Sequence, residues 1–185
     1  MLGYSAMIEN IDFDIDRHNQ WVEISSEIKQ FVNKDISLLA VMRIQSLGKL
    51  DSKIIHEESI ITKTGKPSDL FGDMSWFISL TDLWTMGSYE LIRTLNAIIN
   101  PNRSNGDYMN KALHELKNEF ENIRVPLAKF EPPKNRRNNA QITMLWPAFI
   151  PNSGFGWCVS EEDIVKRVDL SNSMIKTFKA LFVEK

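Results

Sequence analysis

The chain has 185 residues, 43% of them hydrophobic and 25% charged, with a formal net charge of −2. That composition belongs to ordinary globular proteins, its length suits one domain with one core, and its acidic balance excludes a dedicated duplex-DNA binder. The single Cys158 excludes an internal disulfide, and no run approaches the roughly 20 consecutive apolar residues of a membrane span.

The N-terminal MLGYSAMIENIDFDID is acidic and lacks the basic flank and apolar run of a signal peptide, so a reducing cytoplasmic location is expected. Asp12, Asp14, Asp16 and Glu23 imitate the ligand spacing of a calcium-binding EF-hand loop. Arg17, however, stands where that loop needs Gly for its sharp turn, and Asn19 stands at its apolar position. The expectation is a solvated acidic lead-in with Asp16 capping a helix, and no metal.

From about Asp16 to Leu47 the pattern is helical, with Trp21, Ile24, Ile28 and Phe31 on one stripe and Leu38, Leu39 and Met42 continuing it. Asn33-Lys34-Asp35 interrupts the stripe, and Asp35 can serve as an N-cap, so one kinked helix and two abutting helices both fit. Gly48 reads as a stop. Residues 48–73 carry little periodicity: Ser59-Ile60-Ile61-Thr62 suits a short strand, Gly65-Lys66-Pro67-Ser68 is turn chemistry, and the segment is expected to be a long loop.

Met74 to Asn100 gives a long helix. Phe77, Leu80, Trp84, Gly87, Leu91, Leu95 and Ile98 trace its stripe, which Trp76, Leu83 and Ile92 widen into a face buried on more than one side. Gly87 and Ser88 are small enough to admit another helix closely. The loop Asn100-Pro101-Asn102-Arg103-Ser104-Asn105-Gly106 leads to a second long helix over 107–129, where Met109, Leu113, Leu116, Phe120, Ile123 and Leu127 alternate spacings of four and three. The two helices should form an antiparallel hairpin.

Glu131 to Asn139 is polar and carries two prolines, so it is not helical. In 141–160 the runs ITMLWPAFI and FGWCVS flank Pro151-Asn152-Ser153-Gly154, which reads as an inserted β-hairpin with Pro147 confining the first strand to an edge or bulge. Ser160-Glu161-Glu162-Asp163 places acids where a helix N-terminus favours them, and Met174, Ile175, Phe178 and Leu181 or Phe182 supply the buried stripe of the helix that follows. The fold class is mainly α: a single-domain helical bundle built on a long antiparallel hairpin, with a small β-hairpin inserted.

Long antiparallel helices ending in Ile123-Arg124-Val125-Pro126-Leu127-Ala128-Lys129-Phe130-Glu131 resemble the HEPN group of helical domains, found in bacterial toxin and phage-defence proteins. In that family an Arg late in a helix, followed a few residues on by a His, supports metal-independent RNA cleavage. Arg124 carries over, but Lys129, Phe130 and Glu131 occupy the positions where the His would stand. Cleavage through the 2′-hydroxyl needs a proton acceptor and donor near neutral pH, a task for His and not for a permanently protonated Arg.

The remaining candidates are electrostatic or apolar. Glu90 and Arg93 interrupt an apolar helix and, with Arg124, form either a polar network that orients the bundle or, with Lys129, an anion site for phosphate, nucleotide or RNA. Lys134, Arg136 and Arg137 are a second cationic group. Trp146, Phe149, Phe155 and Trp157 crowd into one hairpin and suit an interface with a protein partner or a second copy of the chain. His18, His56 and His114 are scattered, Cys158 lies in an apolar strand, and no glycine motif cradles a phosphate, so neither metal nor cofactor is expected. A helical interaction domain without enzymatic activity is the leading expectation, and a HEPN-like RNA-acting protein the alternative.

Overall fold

The computed structural model describes residues 13–32, 34–69, 71–99, 106–131, 145–150, 154–160 and 163–183. Helix α1 (Ile15–Glu27) starts at Asp14, not Asp16: the Asp14 carboxylate accepts from the Arg17 backbone N–H at 2.8 Å. A 3-10 turn over 28–30 then tightens the chain, and α2 (Lys34–Thr64) follows as a separate helix.

Helix α2 overturns two expectations. It runs through Gly48 and occupies most of the expected 48–73 loop, ending only where Gly65 adopts φ +75°. Gly48 is not a stop but the crossing point of α1, because a Cβ there would lie 2.3 Å from the Cβ of Trp21. Periodicity hid the helix because its buried stripe (Ile44, Leu47, Asp51, Ile54, Glu58, Ile61) carries two acids among the aliphatics. Leu38, Leu39 and Met42 are exposed instead of core-forming, since Ala40, Val41, Ile44 and Leu47 face inward.

Helices α3 (Met74–Ile99) and α4 (Gly106–Lys129) form the expected pair, with Trp84 and Phe120 packing at 5.8 Å between ring centroids and Leu91, Leu113, Leu116 and Ile123 buried. Gly87 admits α2, as an added Cβ would lie 2.9 Å from Leu47. Trp76 and Leu83, expected to widen the buried face, are exposed, whereas Ile92 is buried. Helix α4 ends at Phe130, which takes the left-handed conformation at φ 54° and donates its N–H to the Pro126 carbonyl.

Strands β1 (Trp146–Ile150) and β2 (Gly154–Cys158) make the hairpin, paired Phe149 to Phe155 and Trp146 to Cys158. A third strand, β3 (Ile164–Lys166), pairs with β2, giving the antiparallel order β1-β2-β3 and leaving Pro147 on an edge. Asp163, expected in a helix start, instead stands directly before β3: Val159 N–H donates to its carbonyl, and its own N–H donates to Ser160 Oγ. Helix α5 (Arg167–Phe182) begins immediately after β3 and buries Met174, Ile175, Phe178, Leu181 and Phe182.

Replacing Gly48 with Ala tests the α1/α2 crossing. Helix propensity alone favours Ala by about 1 kcal/mol. A methyl group against Trp21 instead forces α1 aside, and overpacking of a tight core costs about 1–3 kcal/mol or more. Thermal unfolding should show Gly48→Ala less stable than the native chain; a rise in Tm would contradict the packing.

Candidate functional site

Among the described residues, a connected cluster of buried polar side chains lies in the core. Arg167, the first residue of α5, donates from Nη1 to Asp51 Oδ1 at 2.6 Å and from Nη2 and Nε to Glu58 Oε2 at 2.7 and 3.1 Å. Arg17 of α1 donates from Nε to Asp51 Oδ2 at 2.8 Å, from Nη1 to Asn172 Oδ1 at 2.7 Å and from Nη2 to Ser171 Oγ. Ser171 in turn donates to Asp51 Oδ1, and the Trp21 indole N–H donates to Asp51 Oδ2. Glu58 Oε1 accepts the Phe155 backbone N–H of β2 at 2.8 Å. Gly154 makes room for that approach, since a Cβ there would stand 2.9 Å from the same oxygen. The Arg167 guanidinium also lies over the Trp84 ring of α3, 5.3 Å from its centroid.

Two guanidiniums thus meet two carboxylates, and the group is neutral overall. Asp51 and Arg167 are both 0% exposed. Burial on its own pushes the Asp51 carboxyl up, but Arg167 first, then Arg17 and the Ser171 hydroxyl, outweigh it and hold the group below its ordinary value. Burial likewise acts to lower Arg167, and the Glu58 and Asp51 charges reverse that direction. Closed from solvent and saturated with internal partners, this cluster positions helices and presents no face to a substrate.

Of the residues expected to form a polar network, the structure assembles three. Arg93 meets Glu90 Oε2 at 2.7 Å, and Arg124 reaches Glu90 Oε1 at 3.4 Å while covering the Tyr89 ring at 5.1 Å. The network sits at the surface of the α3/α4 pair, so it is exposed and screened by solvent. Lys129 is exposed more than one turn beyond Arg124, and among the described residues no ion pair joins it to the three. Arg136 and Arg137 lie outside the described residues.

The aromatic interface is divided by the fold. Phe155 and Trp157 are 2% and 1% exposed, stacked edge-on with each other at 5.3 Å and, through Phe155, against Phe77 at 5.6 Å. They are core residues, a correction to their expected interface role, because β2 is covered on both sides by α2, α3, α5 and its neighbouring strands. Phe149 is half-buried against that core, and Trp146 alone is exposed, at 62%.

Exposed apolar chemistry lies elsewhere. Leu39 on α2 is 63% exposed and Leu83 on α3 is 58% exposed, and Leu38 and Met42 flank them. Leu39 and Leu83, with Ala40, Met86 and Leu91, border a groove between α2 and α3 of about 520 Å³, whose polar lining includes Arg43 on one wall and Glu90 on the other. Among the described residues, no group of three or more His, Cys, Asp or Glu side chains converges, and no helix is long and apolar enough to cross a membrane.

Comparison with known proteins finds no matching family model, no matching curated protein and no matching solved structure. The resemblance to HEPN domains therefore rests on the helical hairpin and Arg124.

Sequence reasoning missed Arg17, Asp51, Glu58 and Arg167. Their signal was placement, since each falls at a spacing of three or four from buried apolar residues of its own helix.

Asp82 of α3 offers a test of the local electrostatics. Its carboxyl is raised above the ordinary 3.8 by burial, partly opposed by the Trp157 indole N–H donating at 3.0 Å. A raised folded pKa means the fold prefers the protonated form, so this stabilising contribution is full below the ordinary value and is lost as pH rises through the folded pKa. Asp82→Asn keeps an acceptor for Trp157 without the half-buried charge. It should raise the Tm at pH 7, with the gain over the native chain shrinking as pH falls through the Asp82 transition in parallel melts. A gain that grew toward acid pH would refute the assignment.

Proposed function

We propose that the chain is a non-enzymatic helical interaction domain that binds a protein partner through the outward face of α2 and α3. The observation that supports this is the exposure of Leu39 and Leu83 on the walls of one groove, with Leu38 and Met42 also exposed on α2. Contiguous exposed apolar surface on a domain with a complete core marks a binding site more often than a structural accident. The core here needs none of these side chains, since its own aromatic cluster and charge network close it. By the HEPN resemblance, the setting is cytoplasmic bacterial defence or a toxin–antitoxin pair.

The alternative, an RNA- or nucleotide-binding groove using Arg93, Arg124 and Lys129, has less support. Glu90 takes up both Arg93 and Arg124, so the three together carry one net positive charge in place of an open cationic surface. The residues following Arg124 also lack the His that proton transfer needs.

A photo-crosslinking residue incorporated at Leu83, and as a control at exposed Val22 on α1, tests the reading in the cells that produce the protein. Irradiation should give a discrete protein adduct from position 83 and none from position 22. Absence of any adduct from position 83 would overturn the proposal, and a ribonuclease-sensitive adduct would replace it with the RNA reading.

A further inference from the structure

We infer that the occupant of the α2–α3 groove is an acidic amphipathic helix of a partner protein, with its apolar stripe on Leu39 and Leu83 and its carboxylates toward Arg43, Lys49 and Lys53. The inference rests on reading this face as a protein-binding surface and adds the chemistry of what binds. It is carried by the build of the groove together with the sign of the charge around it.

The α3 wall of the groove extends from Leu83 to Ile98, about 22 Å along the helix axis, which is room for about four turns of a second helix. Both walls are helices whose backbone groups are already paired within them, so the groove offers no sheet edge on which an extended segment could form a ladder. Even Thr94, one of its few polar lining residues, donates its hydroxyl to the Glu90 carbonyl. A helix brings its own backbone hydrogen bonds and presents side chains alone. It would seat through apolar residues at i, i+3 or i+4, and i+7.

The charges select its sign. Glu90, the carboxylate on the α3 wall, is held by Arg93 at 2.7 Å and by Arg124 at 3.4 Å, so that wall carries one net positive charge. Arg43 on the α2 wall is exposed and makes no ion pair among the described residues. Spacings of four, three and four place Met42, Ser46, Lys49 and Lys53 on one outward stripe of α2. Lys49 is exposed and Lys53 half-buried, and neither has an ion pair among the described residues. A Cβ at Gly87, in the groove lining, would lie 2.9 Å from Leu47, so Lys49, two residues on, stands close to the level of the groove.

The acids of α2 between residues 37 and 64 are Asp51, Glu57 and Glu58, and all are buried. Arg17 and Arg167 take Asp51, Arg167 takes Glu58, and Ser68 takes Glu57. Helix α2 thus sorts its charge by depth, carboxylates inward and cations outward, in a chain whose formal net charge is −2. A basic segment would meet like charge on both walls. A phosphate polymer would leave Leu39 and Leu83 without apolar partners, and a flat anionic bilayer would not enter a groove between two helices. An acidic amphipathic helix satisfies the leucines and the cations together, as an apolar centre with a charged rim.

The test selects phage-displayed random peptides of about 16 residues, the length of about four turns, against the immobilised full chain, with counter-selection against Leu83→Asp. Enriched peptides should carry net negative charge and apolar residues at helical period. A fluorescently labelled synthetic copy of the most enriched peptide should bind the native chain in an anisotropy titration. Leu83→Asp should abolish that binding and keep a near-native circular-dichroism melt, since the side chain is exposed. Arg43→Glu should weaken it at least about tenfold. Lys63→Glu, which reverses an exposed cation about 30 Å further along α2, should leave it unchanged.

Enriched peptides of neutral or positive charge that depend on Leu83 would overturn the inference and leave the face a protein-binding surface. Equal losses in Arg43→Glu and Lys63→Glu would overturn it as well. So would a selection that yields no peptide dependent on Leu83, and the crosslink at position 83 would then decide the broader reading by itself.

Discussion

The structure depends on burying the guanidinium of Arg167. A cation removed from water is tolerated only where carboxylates meet it with good geometry, because the desolvation cost is several kcal/mol and is offset only by complete pairing. Asp51 and Glu58, two turns apart on one face of α2, supply that pairing at 2.6 and 2.7 Å. Once they do, α5 has one position against α2. Asp51 then has room for a second cation, and Arg17 brings α1 to the same point.

The other elements follow from this centre. Glu58 has an oxygen left for the Phe155 N–H, which holds β2 against α2 and seats Phe155 and Trp157 in the core. Trp84 carries the Arg167 cation on its face and also packs with Phe120, which links the charge network to the α3/α4 pair. With the interior closed by aromatics and matched charge, the outward side of α2 and α3 is left with apolar residues that no element of the described chain covers. Structure and proposed function therefore lie on opposite faces of the same two helices.

Much of this was legible from residue spacing. The α3/α4 hairpin, the inserted β-hairpin with Pro147 on its edge, and the stripe of α5 all follow from clean alternation of apolar residues at helical or strand period. Residues 48–64 were not legible, for the same physical reason that the charge network was not. Asp51 and Glu58 occupy core positions of the stripe Ile44, Leu47, Asp51, Ile54, Glu58 and Ile61, so a pattern sought in hydrophobicity breaks where the most consequential contacts are made. Arg17 ahead of Trp21, Ile24 and Ile28, and Arg167 ahead of Ser171, Met174, Phe178 and Leu181, repeat that arrangement in α1 and α5. Opposite charges at core positions of separate helices were the available signal. Which helix met which depended on tertiary pairing that no local period encodes. Trp76, Leu83, Leu38 and Leu39 show the converse: apolar residues in helical register that face outward, because small neighbours such as Ala40 and Gly87 take the inward side.

The central ion pair of Glu58 and Arg167 should act as a unit. A double-mutant cycle at Glu58 and Arg167, each replaced by Met and then both together, measures this directly by chemical denaturation. The double variant leaves the Arg17–Asp51 pair intact and neutral, so no unmatched charge remains in the core. Each single substitution strands a buried charge and should cost about 3–5 kcal/mol. The double substitution should cost less than the sum of the two by more than about 1 kcal/mol, the mark of directly coupled residues. Additive losses would contradict the claim that this pair organises the fold.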